Sequence, residues 1–234
     1  MFLKLRKGGD GAWGDDANSL KLAVMNWLNE ASPHPEPLLS ATNKSGRGFY
    51  HDATGQLLCP VNYDWLDVSI RSAIREYHPK YPVMANSYPT FLYARGQYDA
   101  KNPSKGLFKG ELLLKAFCCI FTSPSSAEAK FAGEVDAGSS RKAQKTMHGV
   151  RTRCDVAGLL KMRSVDPHAI TYIACQLRFA LSSATSWNLQ DEDIVIIIVD
   201  TALVWWSAKV FGCHNASSYL PQQVEVLSVA LARQ

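Results

Sequence analysis

The densest charge in this chain is basic. Arg141, Lys142, Lys145, Arg151, Arg153, Lys161 and Arg163 fall within residues 141–163, with Asp155 the single acid among them. The local charge is therefore +6, against +4 for the whole chain, so the remainder is slightly acidic. Clustered Lys and Arg suit a polyanion, because each phosphate they neutralise releases condensed counterions. The plainer reading of such a strip is a solvated surface loop. The strip makes nucleic acid the first expected partner, held through its backbone with slight sequence preference. A second feature is the pair Trp205-Trp206. Adjacent residues of one helix cannot both enter the same core, and exposed aromatics are enriched in interface hot spots. The pair therefore marks a surface for a protein partner or for self-association, unless another element covers the second ring.

Other chemistry is thinly supplied. The chain has six His and six Cys, but no two cysteines stand at the C-x₂₋₄-C spacing usual in structural zinc sites. His51 and Cys59 are the best-placed pair, across an expected hairpin. No metal and no cofactor are expected. No G-x-S-x-G elbow presents a serine nucleophile. The hydroxyls of residues 122–126 follow a helix, where such groups mostly satisfy loose carbonyls. The glycines near Gly106 and Gly110, and those at residues 8–11, lack P-loop spacing. No catalytic residue is assigned, and a non-enzymatic role is expected.

The elements that would position these residues are mainly helices. Leu20, Ala23, Val24, Trp27 and Leu28 recur on one helical face over residues 19–30, and Pro33, Pro35 and Pro37 end that helix. Residues 1–18 are expected to be a flexible segment. Residues 49–51 and 56–59 flank Asp52-Ala53-Thr54-Gly55, which reads as a small β-hairpin near residues 46–60. A helix follows over residues 64–77, with Leu66, Ile70, Ala73, Ile74 and Tyr77 as its stripe. A short helix starts from Pro89, and a largely apolar one covers residues 102–121. Residues 132–145 lack periodicity and read as a loop, within a mobile basic stretch at about 130–163. Asp166 and Pro167 then open a helix with Ile170, Ile173, Ala174, Leu177 and Leu181 on one face. Further helices are expected near residues 194–211 and 221–232. The fold class is a single, mainly α globular domain over residues 19–234.

Composition agrees with that class. Of the 234 residues, 47% are hydrophobic and 20% charged, which excludes a wholly disordered chain. The segment 194–211 is eighteen mostly apolar residues, the lower edge of a membrane-spanning length. Asp200 near its middle would cost about 2.5–3.5 kcal/mol on insertion scales, so a buried helix is expected and no membrane. The N-terminus has no apolar stretch of signal-peptide length. The protein is therefore expected inside the cell, cytoplasmic or nuclear, with free thiols.

Several stretches together are similar to a known family: GRGFYHDATGQLLCPVNYDW at residues 46–65, FLYARGQYDAKNPSKGLFKGELLLKAFCCIFTSPSSA at 91–127, ITYIACQLRFALSS at 170–183, and Trp205-Trp206 followed by Lys209-Val210-Phe211. Over residues 19–211 the chain resembles an uncharacterised family expanded in mushroom-forming basidiomycete fungi. The resemblance supplies no catalytic residue, and it implies an association with mobile elements or lineage-specific expansion. The chain departs from the family pattern at residues 185–200, where the family carries a longer, more acidic helical stretch. Residues 151–162 read as an insertion.

Overall fold

The computed structural model describes residues 2–84, 87–123, 125, 127–128, 156–162, 164–186, 206 and 209–210. Among these it is mainly α, with six α-helices and no sheet. The helices are α1 (Phe2–Asn29), α2 (Asp52–Leu58), α3 (Val68–Arg75), α4 (Glu111–Phe117), α5 (Val156–Leu159) and α6 (Pro167–Leu181). A π-helical turn, Cys118–Thr122, continues α4.

The centre is α6, and its start follows from its first residues. The Asp166 carboxylate accepts from the His168 amide at 2.8 Å, which satisfies one of the loose N–H groups of a helix end. Pro167 fits the first turn, where its missing N–H would have no partner. The expected face is buried throughout: Ile170, Ile173, Leu177 and Leu181 are fully enclosed. Against it lies α1, with Leu20, Val24 and Met25 fully buried. This helix runs back to Phe2, well before the expected start at residue 19, and takes in the segment expected to be flexible. Asp16 explains part of that extension. Its carboxylate accepts from the Tyr172 hydroxyl at 2.7 Å, while Trp13 meets the Tyr172 ring edge-on at 5.1 Å. Two ties to α6 thus hold the turns before residue 19.

The expected β-hairpin is absent. Residues 48–50 form a 3₁₀ turn, and residues 52–58 are α2. The reason lies in the cap and in the glycine. His51 Nδ1 accepts from the Ala53 amide, so a histidine starts a helix where a strand was expected. Gly55 is a point of contact and no turn residue: a Cβ there would overlap the indole of Trp65. Trp65 thereby closes a small second cluster with Cys59 and Ile74, beside the main core.

Three other expectations shift. Helix α3 starts at Val68, because Asp67 caps it through the Ser69 amide at 2.8 Å; the Ser69 hydroxyl, donating to the same carboxylate at 2.7 Å, and that amide hold the Asp67 carboxyl below its ordinary range. Leu66 and Tyr77, expected in its buried stripe, are exposed. The helix expected from residue 102 begins only at Glu111. Gly106 and Phe108 adopt φ of +75° and +55°, a left-handed backbone that breaks a helix. The short helix near Pro89 is a 3₁₀ turn, Thr90–Leu92. No helix among the described residues is long and apolar enough to cross a membrane.

Two substitutions test this packing by urea unfolding. Leu177→Ala should lower stability by about 2–5 kcal/mol, and an unchanged midpoint would remove Leu177 from the core. Gly55→Ala improves helix propensity by about 1 kcal/mol, yet should destabilise by about 1–3 kcal/mol through overpacking against Trp65. A gain in stability would refute the Gly55–Trp65 contact.

Candidate functional site

Of the basic strip, Arg141, Lys142, Lys145, Arg151, Arg153 and Arg163 lie outside the described residues. Lys161 is described. It is exposed after α5, with φ of +53° and its amide on the Gly158 carbonyl at 3.1 Å. A second exposed basic group stands on the loop before α4: Arg95, Lys101 and Lys105, with Asp99 4.0 Å from Lys105 Nζ.

The tryptophan pair divides. Trp205 lies outside the described residues. Trp206 is fully buried, packs on the Phe117 ring at 5.0 Å, and donates its indole N–H to the Phe108 carbonyl at 2.7 Å. The His51–Cys59 pairing also dissolves with the hairpin. His51 Nε2 lies 2.6 Å from the Pro37 carbonyl, so both ring nitrogens serve backbone groups. Burial pushes the Cys59 thiol up to about 12 and the Cys119 thiol up to about 11, far from the thiolate form that metals and nucleophilic chemistry need. No group of three metal-ligating side chains occurs among the described residues. Thr122 uses its hydroxyl on the Cys118 carbonyl at 2.6 Å, the helix-end role expected for the 122–126 hydroxyls.

The structure adds a cluster of cations at the C-terminal end of α6. Arg47 is 1% exposed. Its Nη1 donates to the Ala180 carbonyl at 2.7 Å, and its Nη2 to the Ser40 carbonyl at 2.6 Å and to the Ala41 carbonyl at 3.1 Å. Lys44, also buried, donates to the Phe179 carbonyl at 2.6 Å and lies over the Phe179 ring at 3.4 Å. Carbonyls at a helix C-terminus carry partial negative charge, so these two cations are matched by dipoles and, among the described residues, by no carboxylate. Burial depresses both groups. Lys44 falls to about 8, with the neighbouring charges of Arg47 and Lys21 adding to the effect.

Beside them is a cavity of about 220 Å³ between α3, the 3₁₀ turn at residues 48–50 and the end of α6. Its apolar walls include Phe49, Leu58, Ile74 and Pro89, and Arg75 and Arg178 line it as well. Arg75 is engaged, with Nε on the Phe49 carbonyl at 2.7 Å and Nη2 on Asp52 at 2.6 Å. Arg178 is different. Its Nη1 is shut off from solvent with no acceptor. Sequence reasoning misses Lys44, Arg47 and Arg178. The Lys44-Ser45-Gly46-Arg47 run reads as the approach to a hairpin, and Arg178 stands within an apolar helix where one cation draws no notice. That isolation is the available signal, since a lone charge in a covered helix needs a partner.

Residues 7–198 match a family model described as a family of unknown function (DUF6698). The match spans most of the chain, and the chain belongs to that family. Comparison with curated proteins and with solved structures finds no match.

Lys44 sets a pH dependence. Its folded pKa, about 8, lies below its ordinary 10.5. Between these values the unfolded chain binds the extra proton, so stability rises with pH there. The buried thiols oppose this, since unfolded thiols ionise first above pH 9. Comparison with Lys44→Met isolates the lysine. Wild type should gain stability relative to Lys44→Met as pH rises from 8 to 10.5, measured by chemical unfolding at each pH. A difference independent of pH would place Lys44 in water.

Proposed function

We propose that this member of the family is a non-enzymatic accessory protein that binds nucleic acid through the basic strip of residues 141–163. One observation carries the reading: a charge of +6 concentrated in that strip, within a chain of net +4. Polyanion affinity depends on how many phosphates are met together, so segregation of charge matters more than its mean. The exposed cations Arg95, Lys101 and Lys105 add to the same chemistry. The competing reading is a protein-interaction or self-associating module using Trp205 and Trp206. It loses Trp206 to the core and rests on Trp205. The narrower expectation of a family expanded in mushroom-forming fungi, associated with mobile elements, rests on the resemblance of the quoted stretches. An accessory nucleic-acid role accords with it.

The test is salt-dependent binding to two duplexes of unrelated sequence. Wild type should bind both with similar affinity near ~50 mM salt and weaken steeply as salt rises. Replacing Arg141, Lys142, Lys145, Arg151 and Arg153 by Gln should weaken both alike. It should also flatten the slope of log K against log salt by about one unit for each phosphate that is no longer neutralised. An absence of binding by wild type at ~50 mM salt, where electrostatic affinity is strongest, would overturn the proposal and leave the interaction reading in front.

A further inference from the structure

The cavity beside α6 joins three features. It is a partly open pocket with mainly apolar walls, it is large enough for a small organic molecule, and it is lined by Arg178, which has no counter-charge among the described residues. A cavity of about 150 Å³ accepts benzene. At about 220 Å³ this one has room for an aromatic ring with a short polar tail.

Arg178 supplies the polar end. Among the described residues no carboxylate stands within ion-pair distance of it, and its Nη1 has no acceptor. Three neighbouring polar side chains are occupied. Arg75 is bound to Asp52 and the Phe49 carbonyl. The Ser182 hydroxyl donates to the Phe179 carbonyl at 2.9 Å, and the Ser87 hydroxyl accepts from the Met84 amide at 3.1 Å. The nearby C-terminal carbonyls of α6 are already taken by Lys44 and Arg47. An uncompensated guanidinium at an apolar wall favours an anion, and its planar fork matches a carboxylate. One such cation balances one negative charge, which selects a monoanion over a dianionic phosphate ester.

We infer that this cavity is a binding site for a small apolar monocarboxylate, an arylalkanoate in size and shape, with its carboxylate at Arg178 and its ring among Phe49, Leu58, Ile74 and Pro89. The site is independent of the basic strip and shares none of its residues.

The probe is 3-phenylpropionate, titrated into the full chain by calorimetry and compared with the neutral 3-phenylpropanamide. Wild type should bind the acid with Kd on the order of 10⁻⁴ M, the range for about eleven heavy atoms at moderate ligand efficiency. The amide should bind at least ~10-fold more weakly, since it lacks the charge that strengthens the hydrogen bonds. Arg178→Gln should erase that preference, lowering acid binding to the level of the amide. Val83→Trp, at the half-open rim, should block both ligands while leaving thermal unfolding near the wild-type temperature. The five-fold Gln variant of the basic strip should bind the acid as wild type does, so failure here is distinct from failure of nucleic-acid binding. No saturable binding of the acid, or equal binding of acid and amide by wild type, would overturn the site, and the wild-type comparison stands whether or not Arg178→Gln folds.

Discussion

The guanidinium of Arg47 is the constraint on which this half of the molecule depends. Three backbone carbonyls, from Ser40, Ala41 and Ala180, converge on it. The segment from residue 30 to 47 has no regular structure of its own. Its course is set by Asn29, whose side-chain amide pairs with both backbone groups of Leu39 at 2.9 Å, and then by Lys44 and Arg47 at the end of α6. Burying a charge is unfavourable unless its hydrogen bonds are met. Here the last turn of α6 meets them, and the same cations satisfy carbonyls that a helix end leaves loose. The match is incomplete, since Arg47 Nε has no acceptor. Immediately after Arg47, Gly48 passes at φ of +69° under the Ser183 amide. The chain then turns into α2, so the position of α2 follows from how Arg47 is held.

What sequence can reveal divides along a physical line. Periodicity reports burial of a regular face. It finds α6, its Asp166 cap, and the buried stripe of α1, because those faces meet one large core. It cannot report that His51 acts as a cap, since a histidine in that role looks like any other polar residue before an apolar run. Gly55 misleads for a related reason. Glycine marks both turns and close contacts, and only the tertiary position of Trp65, ten residues on, separates the two. Apolar count likewise extends a helix over residues 102–121. Leu107 and Phe108 are indeed buried, but on a loop whose backbone hydrogen bonds run to residues 92–94, with Ala94 N on the Gly106 carbonyl and Gly110 N on the Leu92 carbonyl. Burial is legible there, and conformation is not.

The candidate functional residues are legible by a different rule again. The basic strip is a property of composition, visible without a fold. Trp206 shows the limit of reasoning from composition, since two adjacent indoles announce that one is special without saying which. Phe108 decides it: its carbonyl, freed by the left-handed turn at that residue, accepts the Trp206 N–H. The loop that breaks the expected helix is thus also what anchors Trp206.

The location of the cavity follows from the same architecture. The described core is two clusters, a large one around α1, α4 and α6, and a small one of Cys59, Trp65 and Ile74. Phe49 packs against both. Leu58 belongs to the first and Ile74 to the second, and both line the cavity. The void therefore sits at the seam, where the side chains of two separately packed groups do not interdigitate. Interiors otherwise reach crystal-like density. The small cluster is pinned in place by polar ties, Arg75 to the Phe49 carbonyl and to Asp52, with the Arg75 guanidinium 5.5 Å over the Trp65 ring. A cation left without an acid at such a seam gives the gap a polarity as well as a shape, which is the combination that distinguishes a ligand pocket from a packing defect.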